Sequence, residues 1–251
     1  MQNHFRPSRA QLLPPVLNGS TLKIIAIITM LIDHIGAVIL EYGFITAYQN
    51  GLPGALSYEA TYRIWQIDRI LRTIGRISFP IFCFLLVEGF IYTSNRKRYL
   101  GRLAIFALIS EIPFDLCFNF HILEFTYQNV MFTLLIGLLT ITLMEESRKK
   151  YPALALLPAA AGLLLGYVMQ TDYDWKGVLL IIVFYLFHSF PLEKTVAGCL
   201  CLLWEAKACF AFIPINMYNG KRGRKIKYFF YLFYPVHLLL LFFIRYAIFH
   251  K

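Results

Sequence analysis

Acidic and imidazole side chains interrupt several long apolar stretches of the 251-residue chain. Asp33 and His34 are adjacent in the first stretch, and His237 lies in the last. Glu111 and Asp115 are four residues apart, so they share one face of a helix. Histidine is a general base near neutral pH, and carboxylates can take part in proton transfer or orient such a base. These five side chains are therefore the candidate catalytic residues.

The two polar residues of the first stretch require partners on other segments. Asp33 and His34 are consecutive and point about 100° apart on a helix, so neither orients the other. We expect Asp33 to orient a partner such as His237 or Arg76. An ionisable side chain at the centre of a bilayer costs about 2.5–3.5 kcal/mol on insertion scales, and such residues are commonly functional. The alternative is that these groups only hold helices together.

Three prolines lie close to the candidate residues. Pro113 lies between the two carboxylates of the third apolar stretch, and Pro235 lies two residues before His237. Pro80 lies in the second stretch. A proline inside a helix removes a backbone hydrogen bond and kinks the helix. Three kinked helices that carry acids and histidines predict a hydrated polar cavity within a bundle.

The composition shows which class of protein must hold these residues. The chain is 59% hydrophobic and 15% charged, and its mean hydropathy is +0.61. A soluble domain is nearer half apolar and a quarter charged. The composition therefore excludes a soluble enzyme, a disordered chain and a nucleic-acid-binding domain, and it indicates an integral membrane protein.

The apolar pattern predicts an all-α fold, a polytopic membrane helix bundle with about eight transmembrane helices. Residues 1–21 are predicted to form a flexible N-terminal arm, and residues 22–251 a single transmembrane domain. Residues 58–72 are predicted to form either an amphipathic interfacial helix or a loop with one helical turn. The predicted spans are 22–41, 74–93, 102–118, 129–144, 152–169, 176–191, 195–217 and 228–249.

The basic residues give a partly contradictory topology. The net charge is +10, and basic clusters precede the first span and follow the second and fourth. All three positions fit a cytoplasmic N-terminus. With eight crossings, however, the basic loop at 221–227 falls on the opposite side. Either this loop is external, or the span 195–217, which contains Glu205 and Lys207, is re-entrant or interfacial.

The same basic loop is the candidate anion-binding segment. Lys221, Arg222 and Arg224 lie among glycines, which suits either lipid headgroups or a polyphosphate such as that of coenzyme A. The chain has no Gly-rich phosphate loop and no zinc-ligand spacing, and its five cysteines all fall in apolar runs. No metal site is therefore predicted.

Several motifs together resemble the TraX family, in the family's order along the chain. They are MLIDHIG at 30–36, IGRISFP at 74–80, EGF at 88–90, SEIPFD at 110–115, QNVMFTL at 128–134, YNGKRG at 218–223 and FYPVHL at 233–238. The resemblance implies a multi-pass protein of the bacterial inner membrane. It also implies a link to N-acetylation of conjugative pilin with acetyl-CoA as donor.

The family is in turn distantly similar to membrane acyltransferases. Those enzymes commonly place an arginine four residues before the histidine of the first helix, whereas this chain has Met30 before His34. The resemblance implies a membrane acetyl- or acyltransferase in which His34 is the general base or carries the acyl group. The oxyanion donor would be Asn129, Tyr234 or Arg76.

The expected donor is acetyl-CoA, bound from the cytoplasmic side. The candidate residues for binding it are Arg76, Asn129, Asn219, Lys221, Arg222 and Arg224. The acceptor is an amine or hydroxyl on a pilin-like peptide, a glycan or a lipid; the other expected partners are membrane lipids, and no nucleic acid is expected. Two alternatives remain, a proton-coupled transporter and a non-catalytic membrane assembly factor.

Overall fold

The computed structural model describes residues 12–52, 54–119, 121–122, 124–224 and 227–249. Within these ranges the chain is helical with no β-strand, which confirms the predicted all-α membrane helix bundle. The elements in chain order are α1 (Gly19–His34), a π-helix (Ile35–Ile45), α2 (Thr46–Gln49), α3 (Tyr58–Gly75), α4 (Ser78–Tyr92), α5 (Arg96–Phe118), α6 (Val130–Arg148), a 3-10 helix (Pro152–Ala155), α7 (Leu156–Val168), α8 (Asp174–Leu186), α9 (Pro191–Cys201), a second 3-10 helix (Leu203–Ala211), α10 (Phe212–Asn216) and α11 (Lys227–Phe249).

Four helical stretches in the described part of the chain are long and apolar enough to cross a membrane. They are Gly19–Gln49, Tyr58–Tyr92, Val130–Arg148 and Phe229–Phe249. The remaining predicted spans correspond to helices that differ in length or charge. α5 carries several charged side chains among its 23 residues, and α8 has only 13 residues. The helix over Pro152–Val168 is apolar but shorter than the four long stretches.

The first helix begins where a side chain caps it. The Asn18 side-chain oxygen accepts the backbone N–H of Thr21 at 3.0 Å, which satisfies one of the unpaired donors of the first turn. α1 starts at Gly19, so the last three residues of the predicted 1–21 arm are helical. Residues 1–11 of that arm lie outside the described residues. After His34 the helix widens into the π-helix, a geometry found frequently at functional sites.

The connection after α2 contains a long helix. The predicted helix over 58–72 is observed as α3, which Ser57 caps by accepting the Ala60 N–H. α3 packs against α1 and the π-helix. At its end, a Cβ on Gly75 would lie 2.2 Å from the Asp33 Cβ, so only glycine permits this close approach. The amphipathic helix therefore forms part of the bundle beside Asp33.

A turn of two residues, Arg76 and Ile77, separates α3 from α4. Arg76 follows α3, and α4 begins at Ser78, four residues after the start of the predicted span 74–93. Pro80 therefore lies in the first turn of α4, where a missing N–H is tolerated, rather than at a kink within a helix. Pro113 and Pro235, in contrast, lie inside α5 and α11.

The predicted span 195–217 is not one continuous helix. It comprises most of α9, the second 3-10 helix and α10, with a non-helical backbone at Glu205. Its two ends are joined, because the Asn216 side-chain amide donates to the Thr195 hydroxyl at 2.9 Å. The segment therefore turns back on itself as a helical hairpin instead of continuing in one direction.

The hairpin places the basic loop beside the start of α1. The Leu17 N–H donates to the Met217 carbonyl at 2.9 Å, and the Gly19 N–H donates to the Lys221 carbonyl at 2.8 Å. The chain therefore returns after the hairpin to the end of the bundle where α1 begins. The rings of Tyr218 and Phe84, whose centroids are 5.4 Å apart, connect this end to the middle of α4.

A buried arginine fastens α11 to α5. Arg245 is 1% exposed. Its guanidinium donates to the Cys117 carbonyl at 2.6 Å and to the Leu116 carbonyl at 3.1 Å. Carbonyls in the last turn of a helix have no partner within the helix, and a cation there also interacts well with the helix dipole. The last helix is thereby held in register with the end of α5.

Candidate functional site

Two histidines from the first and last helices meet inside the bundle. The His34 Nδ1 and the His237 Nε2 are 2.6 Å apart. The rings are stacked, with centroids 4.9 Å apart and planes inclined by 13°. The His237 Nδ1 is 2.7 Å from the Phe233 carbonyl oxygen, one turn earlier on α11. The sequence did not predict this pairing, since nothing in it places these two rings face to face.

The hydrogen bonds determine which nitrogen carries each proton. A carbonyl oxygen only accepts, so the His237 Nδ1 is protonated and donates to Phe233. In the neutral ring the His237 Nε2 then accepts from the His34 Nδ1–H. The His34 Nε2 is left with a lone pair. This is the arrangement of a general base held by a second side chain.

His34 lines a cavity of about 430 Å³. This volume lies in the range of small-molecule binding sites. The ionisable lining residues are Asp33, His34, Glu41, Arg72, Arg76 and Asp172. The aromatic lining residues include Tyr42, Phe79, Phe118, Tyr127, Tyr173 and Tyr234. The cavity thus combines a base, both signs of charge and a largely aromatic wall.

Asp33 pairs with a residue that the sequence analysis did not select. The Arg72 guanidinium donates to the Asp33 carboxylate at 2.5 Å and to the Asp33 carbonyl at 3.3 Å. Arg72 also lies 3.7 Å from the Glu41 carboxylate. Asp33 therefore does not bind His237 or Arg76, the two partners that were expected. Arg72 was predicted only as the end of an amphipathic helix, and its periodic position gave no sign of this contact.

Arg76 also faces the cavity, but its partner is on the hairpin. The Arg76 Nε is 3.4 Å from the Glu205 carboxylate, in the non-helical part of the 195–217 segment. This ion pair gives the acidic residue of that segment a partner inside the protein. It also ties the hairpin to the wall of the cavity.

The Glu111 and Asp115 carboxylates hold the connection between α5 and α6. Glu111 accepts the side-chain amide of Asn129, which caps α6. Asp115 accepts the Glu124 backbone N–H at 2.8 Å and contacts the Asn119 amide at 3.4 Å. Both carboxylates thus bind groups of this connection, and neither lines the cavity.

The basic loop lies at a distance from the cavity. Gly220 and Gly223 have φ values of 73° and 72°, which only glycine adopts easily. The Arg224 N–H donates to the Ser20 hydroxyl at 3.2 Å. Along α1, Ser20 and His34 are separated by about 21 Å at the usual helical rise of ~1.5 Å per residue.

The four predicted coenzyme A-binding residues in and beside this loop do not line the cavity. They are Asn219, Lys221, Arg222 and Arg224. The Asn219 side chain accepts the Lys221 N–H at 2.9 Å, which shapes the turn. Of the other two candidates, Arg76 lines the cavity and Asn129 is buried against Glu111.

The connection between α7 and α8 contributes Asp172 to the lining of the cavity, and this residue is not among the predicted site residues. The Tyr127 hydroxyl donates to the Asp172 carboxylate at 2.7 Å. Partial burial raises the pKa of the Asp172 carboxyl, and the hydrogen bond from Tyr127 opposes this rise. Asp172 lies in a short polar sequence between two apolar runs. This position is the feature of the sequence that could have indicated a site residue there.

A second buried polar pair lies outside the cavity. The His188 Nε2 is 2.5 Å from the Glu88 carboxylate, and Glu88 is 7% exposed. This contact fastens the chain after α8 to α4. Among the residues that the structure describes, no group of three or more His, Cys, Asp or Glu side chains is arranged to hold a metal ion.

The fold and the cavity define a helical membrane protein with a paired histidine site in its interior. Residues 18–245 match the family model described as "TraX protein". The chain belongs to the TraX family.

Two relatives have been found among curated proteins. The "Probable fimbrial assembly protein FimC, serogroup H1" of Dichelobacter nodosus is 32% identical over 252 aligned residues, covering 88% of this chain and 92% of the relative. An uncharacterized protein of Rickettsia prowazekii (strain Madrid E) is 26% identical over 182 residues, covering 72% of this chain and 59% of the relative. No solved structure matches the chain.

Proposed function

We propose that the chain is a membrane acetyl- or acyltransferase that moves an acetyl group from acetyl-CoA to an amine or hydroxyl acceptor. The observation that carries the proposal is the His34 Nε2, which has a lone pair in a polar cavity and is positioned by His237. An amine at pH 7 is mostly protonated and a hydroxyl is a weak nucleophile, so both need a base.

In this reaction His34 takes the proton of the acceptor as the acceptor attacks the thioester carbonyl. The charge that develops on the His34 ring is shared with His237 through their hydrogen bond. Collapse of the tetrahedral intermediate expels the thiolate of coenzyme A, and the His34 imidazolium protonates it. His237 is thus a positioning residue, and His34 is the catalytic base.

Acetyl-CoA would bind from the basic end of the bundle. Lys221, Arg222 and Arg224 carry the charges, and they lie in an exposed loop shaped by the glycine turns at Gly220 and Gly223. The separation of about 21 Å along α1 is of the order of an extended pantetheine arm. The pantetheine arm would pass Lys23 and Phe230 between the basic loop and the cavity. The Lys23 ammonium lies 5.1 Å from the Phe230 ring, and Phe230 lines the cavity.

The family and the relative suggest the acceptor. A fimbrial assembly protein of similar sequence supports a pilin-like peptide amine as the acceptor, with a glycan or lipid hydroxyl as the alternative. The proposed location is the bacterial cytoplasmic membrane with a cytoplasmic N-terminus. In that orientation the basic end of the bundle faces the coenzyme A pool.

The test is transfer of labelled acetyl groups from acetyl-CoA by the full chain in proteoliposomes. His34→Ala should lower the transfer rate by about 10²–10⁴-fold, the usual contribution of general acid–base catalysis. His121→Ala is the matched control, because His121 is an exposed residue outside the cavity. Full activity of His34→Ala would remove His34 from the mechanism.

A non-catalytic assembly factor is the second candidate. It is favoured by the name of the Dichelobacter relative, a probable fimbrial assembly protein. Thermal unfolding with and without coenzyme A separates the two candidates. A ligand at 100 times its Kd stabilises a protein by about 2.7 kcal/mol. No shift at saturating coenzyme A, together with no transfer, would support the assembly factor.

A further inference from the structure

Tyr234 brings an unused hydroxyl to the cavity. The residue is 3% exposed, lines the cavity and has a hydroxyl without a hydrogen-bond partner among the described residues. Its ring centroid lies 6.1 Å from that of His34 and 5.7 Å from that of His237. A buried polar group without a partner is destabilising, so its presence beside a candidate base requires an explanation.

The first turn of α6 lines the same cavity. Val130 and Met131, the first two residues of this helix, are lining residues together with Tyr234. Asn129 caps this helix by accepting the Met131 N–H at 2.9 Å. The first N–H groups of a helix carry partial positive charge and favour an anionic oxygen nearby. The space between Tyr234 and the start of α6 is therefore suited to an oxyanion.

The other two candidate donors have partners of their own. The Asn129 amide donates both of its hydrogens, one to the Ala107 carbonyl at 3.0 Å and one to Glu111. Arg76 is paired with the Glu205 carboxylate. Only Tyr234, of the three, combines a free hydroxyl hydrogen with direct contact to the histidine pair.

We propose that the Tyr234 hydroxyl, together with the first turn of α6, stabilises the oxyanion formed during acyl transfer. This inference rests on the proposed function and adds a catalytic residue to it. The acceptor nitrogen or oxygen forms a bond to the thioester carbon while the carbonyl π electrons move to oxygen. His34 takes the acceptor proton, and Tyr234 donates a hydrogen bond to the new oxyanion without losing its own proton.

When the carbon–sulfur bond breaks, the oxyanion becomes a carbonyl again and the thiolate takes the proton from His34. The hydrogen bond from Tyr234 is strongest at the charged intermediate and weaker in both the substrate and the product. Such an interaction raises kcat and leaves substrate binding nearly unchanged.

The experiment compares Tyr234→Phe with the wild type in the proteoliposome transfer assay. Removal of one oxyanion donor lowers kcat by about 10²–10³-fold, while KM for acetyl-CoA should change by less than about threefold. Tyr231→Phe is the matched control, because Tyr231 lies on the same helix, stacks on Phe106 and does not line the cavity. This control should keep the wild-type kcat.

Fluorinated tyrosine at position 234 distinguishes hydrogen bonding from packing. Fluorination makes the hydroxyl a stronger donor at nearly constant ring shape, so kcat should change progressively along a fluorotyrosine series. Two results would overturn the role of Tyr234 and leave the proposed function intact. One is a kcat that is independent of fluorination, and the other is a Tyr234→Phe variant whose kcat is within threefold of that of an active wild type. Absence of transfer by the wild type would instead overturn the proposed function, and the role of Tyr234 with it.

Discussion

A neutral histidine holds the proposed base where many enzymes use a carboxylate. His237 accepts one hydrogen bond from His34 and donates one to a backbone carbonyl, so it fixes the His34 ring without adding a negative charge. A carboxylate in the same place would keep a charge within the membrane-embedded bundle at all times. The imidazole pair carries a charge only while a proton is being transferred.

The Asp33–Arg72 ion pair is expected to be energetically coupled. Asp33→Asn leaves Arg72 with only the more distant Glu41 carboxylate, and Arg72→Met leaves the Asp33 carboxylate without its cation, whereas the double variant removes both charges of the close pair. We expect the double variant to be more stable than the sum of the single variants predicts, by about 0.5–3 kcal/mol. Thermal unfolding of the four proteins in detergent measures this coupling, and additive effects would show that the pair contributes no coupling energy.

At the scale of residues, the sequence indicates which residues could carry the chemistry, but it does not indicate which residues they contact. Asp33, His34 and His237 could be selected because ionisable groups are costly in apolar helices. Their partners depend on how helices far apart in sequence pack, which periodicity does not encode. Periodicity therefore predicts Arg72 to be a residue of an amphipathic surface, although it binds Asp33.

At the scale of elements, glycines determine how closely the helices approach. A Cβ on Gly75 would lie 2.2 Å from that of Asp33. Gly137 is similar, because a Cβ there would meet the Ile181 side chain of α8 at 2.2 Å. These positions allow short distances between backbones, as small residues do in other membrane helix bundles.

Gly75→Ala should therefore displace α3 from Asp33. Overpacking of this kind costs about 1–3 kcal/mol, and the displaced Asp33–Arg72 pair should also lower the transfer rate. Gly101→Ala is the control, since a Cβ at that position of α5 would meet nothing within 4 Å. An unchanged melting temperature for Gly75→Ala would show that the two helices can separate without cost.

The helices themselves were largely predictable, because long apolar stretches need helical hydrogen bonding in a membrane. The ends of α4 and the hairpin conformation of residues 195–217 were not predictable. The hairpin is held by the hydrogen bond between Thr195 and Asn216 and by the ion pair of Glu205 with Arg76, and apolar periodicity encodes neither contact.

At the scale of the whole molecule, we expect the hairpin to resolve the contradiction in the charge pattern. A segment that returns to its starting end adds no crossing, so the basic loop lies at the same end as the start of α1. Arg96 and Glu146, which are 3.5 Å apart, join the start of α5 to the end of α6. These basic clusters can therefore all face one side of the membrane, as the positive-inside rule requires.

Labelling of single cysteines in a cysteine-free background tests this arrangement. Lys221→Cys and Lys149→Cys should react with a membrane-impermeant maleimide from one side, and Leu52→Cys from the other. All three positions are exposed and lie in or next to connections between helices. Reaction of Lys221→Cys from the same side as Leu52→Cys would show that the hairpin crosses the membrane.

The two histidines of the pair are 203 positions apart, His34 on α1 and His237 on α11. During synthesis α1 therefore remains in the membrane, with His34 lacking its partner, until α11 has been made. A ribosome that stops before α11 releases a chain without the histidine pair. Synthesis of α11 is thus the last assembly step of the site.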